Sequence, residues 1–200
     1  MRFLRSCLAA CGAAFLLAGC ASTFLLDNQV QSFSQLAAVP AQPTYRFERS
    51  LSQQADPYQA GLEALADPAL QAAGLRRDDA APRYTVQVAA RVQPELSPYA
   101  DPWSPWGGWG SWGLGFGSRH WGLGVGGPWP NEPSWYHREV SVVVRELAGN
   151  KVVYETHAVN DGPWLDNRAV LPAMFQAAMQ GFPTPPQGVR RVDIQVGGTR

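Results

Sequence analysis

Four residues, Leu17-Ala18-Gly19-Cys20, bound what this chain can fold into. They come after Arg2, Arg5 and an apolar run from Leu8 to Ala18. A basic start, an apolar middle and small residues before a cleavage point are the layout of a secretory signal. A cysteine directly after leucine and two small residues makes it a lipoprotein signal, because the peptidase must close over small side chains beside a thioether-linked lipid. Residues 1–19 are therefore expected to be removed and Cys20 to carry acyl chains. Each buried methylene contributes about 0.8 kcal/mol, so two or more chains hold a domain on a bilayer almost permanently. The competing reading is an uncleaved membrane helix over Ser6–Leu26, which carries no charge, since spanning needs about 20 apolar residues. Gly12, Gly19, Ser22, Thr23 and the placement of Cys20 oppose it.

The chain beyond Cys20 is long enough for one domain with its own core. All three cysteines (Cys7, Cys11, Cys20) lie in the signal or at its end. The mature domain therefore has no disulfide, no thiolate metal site and no cysteine nucleophile, and packing alone must hold it. Basic and acidic residues balance at 16 each, and loss of Arg2 and Arg5 leaves the remainder slightly acidic. That is no nucleic-acid surface.

Alternation places a short strand at Thr44–Glu48 and a clear one at Tyr84–Val92, with Tyr84, Val86, Val88, Ala90 and Val92 on one face. His137–Leu147 and Val152–Val159, joined by Ala148-Gly149-Asn150, read as a β-hairpin. Val189–Val196 is a final strand, and Val30–Phe33 has weaker strand character. Asp56-Pro57 reads as a helix start, with Tyr58, Leu62, Leu65 and Ala69 at helical spacing up to Gly74. Pro68 predicts a kink or two short helices, since proline inside a helix costs about 3 kcal/mol. Asp166 or Asn167 caps a closing helix whose stripe is Val170, Leu171, Met174, Phe175, Ala178 and Phe182, stopped by Gly181 and Pro183. The expected fold class is α+β: a mainly antiparallel sheet with two helices packed on one face, plus a long Gly/Trp-rich loop. The expected domains are a signal at 1–19, a lipidated tether at 20–29 and a single periplasmic domain at 30–200, with the loop at about 94–133.

That loop holds Trp103, Trp106, Trp109, Trp112, Trp121 and Trp129, six of the chain's eight tryptophans, among many glycines. Glycine at this density opposes helix and strand. Indoles favour the boundary between apolar and wet phases, so these tryptophans are the candidate interfacial or ligand-binding residues, for a bilayer, a sugar ring or a partner. The plainer reading is a tolerated low-complexity insertion.

His120, His137 and His157 are the sole histidines. His137 and His157 are expected to approach each other across the hairpin, yet no pair has zinc-motif spacing. Asp161 and Asp166 resemble a carboxylate pair, but a turn and a helix cap account for both. No nucleophile elbow, phosphate loop or dinucleotide fingerprint occurs. No catalytic residue, metal ligand or cofactor is expected.

Several segments together resemble a bacterial lipoprotein family, domain of unknown function 4136. They are Leu17–Cys20, the Thr44-Tyr45 strand start, Tyr84-Thr85-Val86-Gln87-Val88, the glycine- and aromatic-rich connection, the Val142–Glu155 hairpin and a last helix ending at Phe182-Pro183. The resemblance covers about residues 24–185; Tyr154, where tryptophan is expected, and Pro68 depart from it. It implies a periplasm-facing envelope lipoprotein and carries over no site residue. The expected function is a non-enzymatic, lipid-anchored protein of the outer membrane's periplasmic face with a binding or assembly role. Its partners would be the membrane, through Cys20, and other envelope proteins or peptidoglycan. A glycan-binding module built on the tryptophans is the alternative, and a hydrolase a weaker one.

Overall fold

Three valine-rich segments form the centre of the sheet, as β4 (Tyr84–Glu95), β5 (Trp135–Glu146) and β6 (Lys151–Gly162). The computed structural model describes residues 23–95, 97 and 135–197. β4 and β5 pair antiparallel from Tyr84 opposite Glu146 to Glu95 opposite Trp135. β5 and β6 form the hairpin, turned at Asn150 with φ 48°, a left-handed conformation that asparagine tolerates better than most residues. β1 (Phe24–Ser34) lies between β6 and β7 (Val189–Val196), antiparallel to both. β2 (Thr44–Phe47) and β3 (Arg76–Arg77) complete the order β3-β2-β4-β5-β6-β1-β7. The helices are α1 (Leu51–Gln54), α2 (Gln59–Ala72) and α3 (Asn167–Met179).

This corrects the expected fold class. The sheet is mixed, because β2 runs parallel to both β3 and β4, with Thr44 opposite Arg76 and Tyr45 opposite Tyr84. There are three helices among the described residues, not two packed on one face. The reason lies in the connection from β2 to β4, which passes through α1 and α2. A strand–helix–strand path within one sheet is a crossover, and crossovers join parallel strands. The extra helix, α1, is a single turn closed by a capping box between Ser50 and Gln53. It serves the sheet edge: where β2 ends, Gln53 Nε2 donates to Val88 O at 2.8 Å.

Three local expectations also change. β1 begins at Phe24 rather than Val30, so residues 24–29 belong to the sheet and not to a tether. α2 runs unbroken through Pro68. Asp67, just before it, accepts from the Tyr45 hydroxyl and from Gln71 Nε2 at 2.9 Å, so polar contacts brace the helix at the proline. Asp56 does not cap α2; its carboxylate accepts from Tyr58 N–H at 2.8 Å, before the helix.

One face of the sheet and the facing sides of α2 and α3 bury Leu26, Val30, Tyr45, Leu70, Val86, Val88, Val140, Val142, Tyr154, Met174 and Phe175. Asp166 caps α3 by accepting from Arg168 N–H at 2.9 Å. The core is not wholly apolar. Ser32 and Thr156 share a buried hydrogen bond of 2.8 Å, and Thr156 also donates to Ala178 O at 2.9 Å, tying β6 to α3. Arg138 is fully buried beneath the start of α3; its Nε donates to Asn167 Oδ1 at 2.9 Å and its Nη2 to Trp164 O. Burial lowers the Arg138 pKa, the nearby Tyr136 partly opposing the shift.

Candidate functional site

Alternation leaves a second face on the sheet. Residues of β5, β6, β1 and β7 that point away from the core, among them His137, Glu139, His157, Asp161, Asp27, Gln29 and Arg191, are half-buried or exposed. A shallow groove there is lined by Asp27, Gln29, Val159, Asp161, Val189 and Arg191. Asp27 and Asp193 are both paired with Arg191, at 3.3 and 2.8 Å.

At one end of this face three strands bring unlike donors together. Glu95 ends β4, His137 lies near the start of β5, and Asp161 near the end of β6. Their carboxylate and imidazole donor atoms all lie within 4.8 Å of one another. His137 stands opposite Asp161 in the register, with Nδ1 to Oδ1 at 2.6 Å. One imidazole beside two carboxylates is a donor set able to hold a divalent ion. The sequence showed His137 and Asp161 as candidates but not Glu95. The signal for Glu95 was strand alternation continuing past Val92, which Pro94 obscures.

The other candidates disperse. His157 stands opposite Ser141, not His137, four residues along β5 and therefore about 13 Å away. Two glutamates flank its ring on opposite sides, Glu139 at 3.5 Å from Nδ1 and Glu155 at 2.9 Å from Nε2. Asp161 and Asp166 form no carboxylate pair: Asp161 bonds to His137 and Asp166 caps α3. His120, Cys20 and the six tryptophans Trp103, Trp106, Trp109, Trp112, Trp121 and Trp129 lie outside the described residues.

The ends of the strands fix a further relation. β1 starts, β4 ends, β5 starts and β6 ends at the same end of the sheet. There the Phe24 ring stacks on Trp164, with centroids 4.0 Å apart. The chain therefore enters β1, leaves β4 and enters β5 at one end of the sheet. No helix among the described residues is long and apolar enough to cross a membrane.

Comparison with known proteins places the chain in a family but not in a pathway. No curated protein sequence matches it. Among solved structures it is similar to the PelC dodecamer from Paraburkholderia phytofirmans, at 11% identity and a TM-score of 0.45, covering 80% of this chain and 99% of that one. It is also similar to a PDZ domain protein from Parabacteroides distasonis, at 13% identity and a TM-score of 0.48, covering 94% of this chain and 42% of that one. A family of unknown function matches across residues 29–184, from within β1 to beyond α3, and the chain belongs to that family, the domain of unknown function DUF4136.

Proposed function

We propose that this protein is a lipid-anchored, non-enzymatic component of the bacterial envelope, held through Cys20 at the outer membrane with its domain facing the periplasm. The observation that carries this reading is Leu17-Ala18-Gly19-Cys20 behind a basic and apolar leader. Two features of the fold support it. β1 takes up Phe24-Leu25-Leu26, removing the last residues of the apolar stretch that an uncleaved membrane helix would use. Only Ala21, Ser22 and Thr23 then separate Cys20 from the sheet. A chain this short reaches about 14 Å, so the end of the domain bearing Phe24 lies close to the lipid surface.

That end also carries Glu95 and Trp135, between which the tryptophan-rich segment runs. In a lipidated protein the six indoles start from the membrane-proximal end, where aromatic side chains partition best. The segment therefore serves as a second membrane contact in this reading. Glycan binding by the same tryptophans is the alternative outcome.

The test is processing and sorting. Cys20→Ser should give an unprocessed precursor with no acyl label, and the native protein should fractionate with outer membrane. Ala21 stands next to the cysteine, where aspartate would favour retention in the inner membrane. Palmitate incorporation into the C20S protein, or recovery of the native protein wholly in the inner membrane, would overturn the proposal. Deleting residues 101–130 should weaken sedimentation of the lipid-free domain with liposomes; a loss of sacculus binding alone would favour the glycan reading.

A further inference from the structure

We propose that Glu95, His137 and Asp161 bind one divalent transition-metal ion of the zinc class. The three side chains rise from neighbouring strands of a hydrogen-bonded sheet, so backbone pairing already holds their Cα atoms in place. Gln93 stands opposite His137 and His137 opposite Asp161, while Glu95 lies one alternation beyond Gln93 on the same face. Their donor atoms lie within 4.8 Å of one another, close enough for small side-chain rotations to bring them around one ion. The carboxylates of Glu95 and Asp161 belong to exposed residues and are free to make those rotations.

Charge points the same way. Among the described residues Asp161 has one ion-pair partner, His137, and Glu95 has none. One imidazole cannot neutralise two carboxylates in either of its protonation states. Three other acids of the protein have guanidinium partners: Asp27 and Asp193 share Arg191, and Glu63 is held by Arg49 at 2.6 Å. A divalent cation would supply the missing charge.

The donor set selects the class of ion. An imidazole nitrogen with two carboxylate oxygens suits zinc and its first-row neighbours, whereas magnesium and calcium favour oxygen-only shells. Three protein ligands would leave a fourth position for water. His157 provides the internal contrast. It also has two carboxylates, but they approach opposite nitrogens of the ring and do not converge on one point. A metal at Glu95, His137 and Asp161 would tie the end of β4 to β5 and β6 where the tryptophan-rich connection departs.

The site can be tested in the full-length chain in detergent, with C7S, C11S and C20S as background so that thiols do not compete. This background carries no lipid, so its result is independent of the anchoring proposal. Zinc chloride is titrated while heat and the imidazole carbon-bound proton resonances are monitored, with magnesium chloride as control. The expected result is one equivalent of zinc, a shift of the His137 resonance, and no such shift with magnesium. E95Q, D161N and H137A should each weaken binding at least tenfold, since loss of even a residue that only supports a metal ligand typically costs about 10–100-fold, and H157A should leave it unchanged. The first two substitutions are isosteric and exposed, so they keep the test valid even where H137A disturbs the fold. Zinc affinity unchanged in E95Q and D161N, an equal response to magnesium, or loss of binding in H157A instead would overturn the assignment.

Discussion

Phe175 offers the sharpest test of how this domain is held together. It lies in the middle of α3, is fully buried, and belongs to the one core cluster that α2, α3 and the sheet share. Removing a buried phenylalanine ring costs about 3–5 kcal/mol, the transfer term plus the cavity left behind. For a domain of this size each kcal/mol lowers the melting temperature by about 2–4 °C. Phe175→Ala should therefore melt about 6–20 °C below the native protein in a circular-dichroism scan. Gln176, the next residue, is exposed, and Gln176→Ala should stay within about 0.5 kcal/mol, as surface changes do. The contrast between neighbours separates a core contact from a general effect on helix propensity. If Phe175→Ala melted within about 2 °C of the native protein, the buried stripe of α3 would be wrong. With no cysteine beyond Cys20 in the sequence, no disulfide can mask the loss.

Other contacts give further tests. Asp166→Ala removes the α3 cap and should cost about 1 kcal/mol by urea denaturation. Tyr45 is buried and bonded to Asp67, and both effects raise its pKa. A raised folded pKa keeps the proton on the native state, so this contribution is complete below the ordinary tyrosine pKa of about 10 and is lost as pH rises beyond it. Stability should fall above about pH 10, and Tyr45→Phe should flatten that fall; an equally steep decline in the variant would refute the assignment. Glu95 and Trp135 are cross-strand partners, so a short Gly/Ser linker in place of residues 101–130 should leave cooperative unfolding intact, because closure entropy changes slowly with length. Loss of a cooperative transition would show that the tryptophans belong to the core.

Elements with a clean apolar period were readable before any packing is considered. β4, the β5–β6 hairpin, β7 and α3 carry apolar residues at spacing 2 or 3.6, and each formed close to where that spacing put it. The leader pattern ending at Cys20 is also a matter of local order and not of packing, and the processing experiment tests it. β1 was mostly hidden, since its inward face is Leu26, Asn28, Val30 and Ser32. Polar residues there blur the alternation, and only partners across the sheet make them tolerable: Asn28 donates to Val192 O at 3.1 Å and Ser32 bonds Thr156. The parallel pairing of β2 was likewise a tertiary decision, because alternation describes one strand and says nothing about its neighbour's direction. The continuous α2 shows the same limit, with contacts around Asp67 bracing a helix that local propensity would allow to split at Pro68. Arg138 shares the inward parity of Val140, Val142 and Val144, and its burial is met by Asn167 and Trp164 O where β5's inward face meets the start of α3. The Glu95, His137 and Asp161 cluster needed the register most of all. Two of its residues were visible as types, but separations of tens of residues collapse to a few ångströms only when three strands pair.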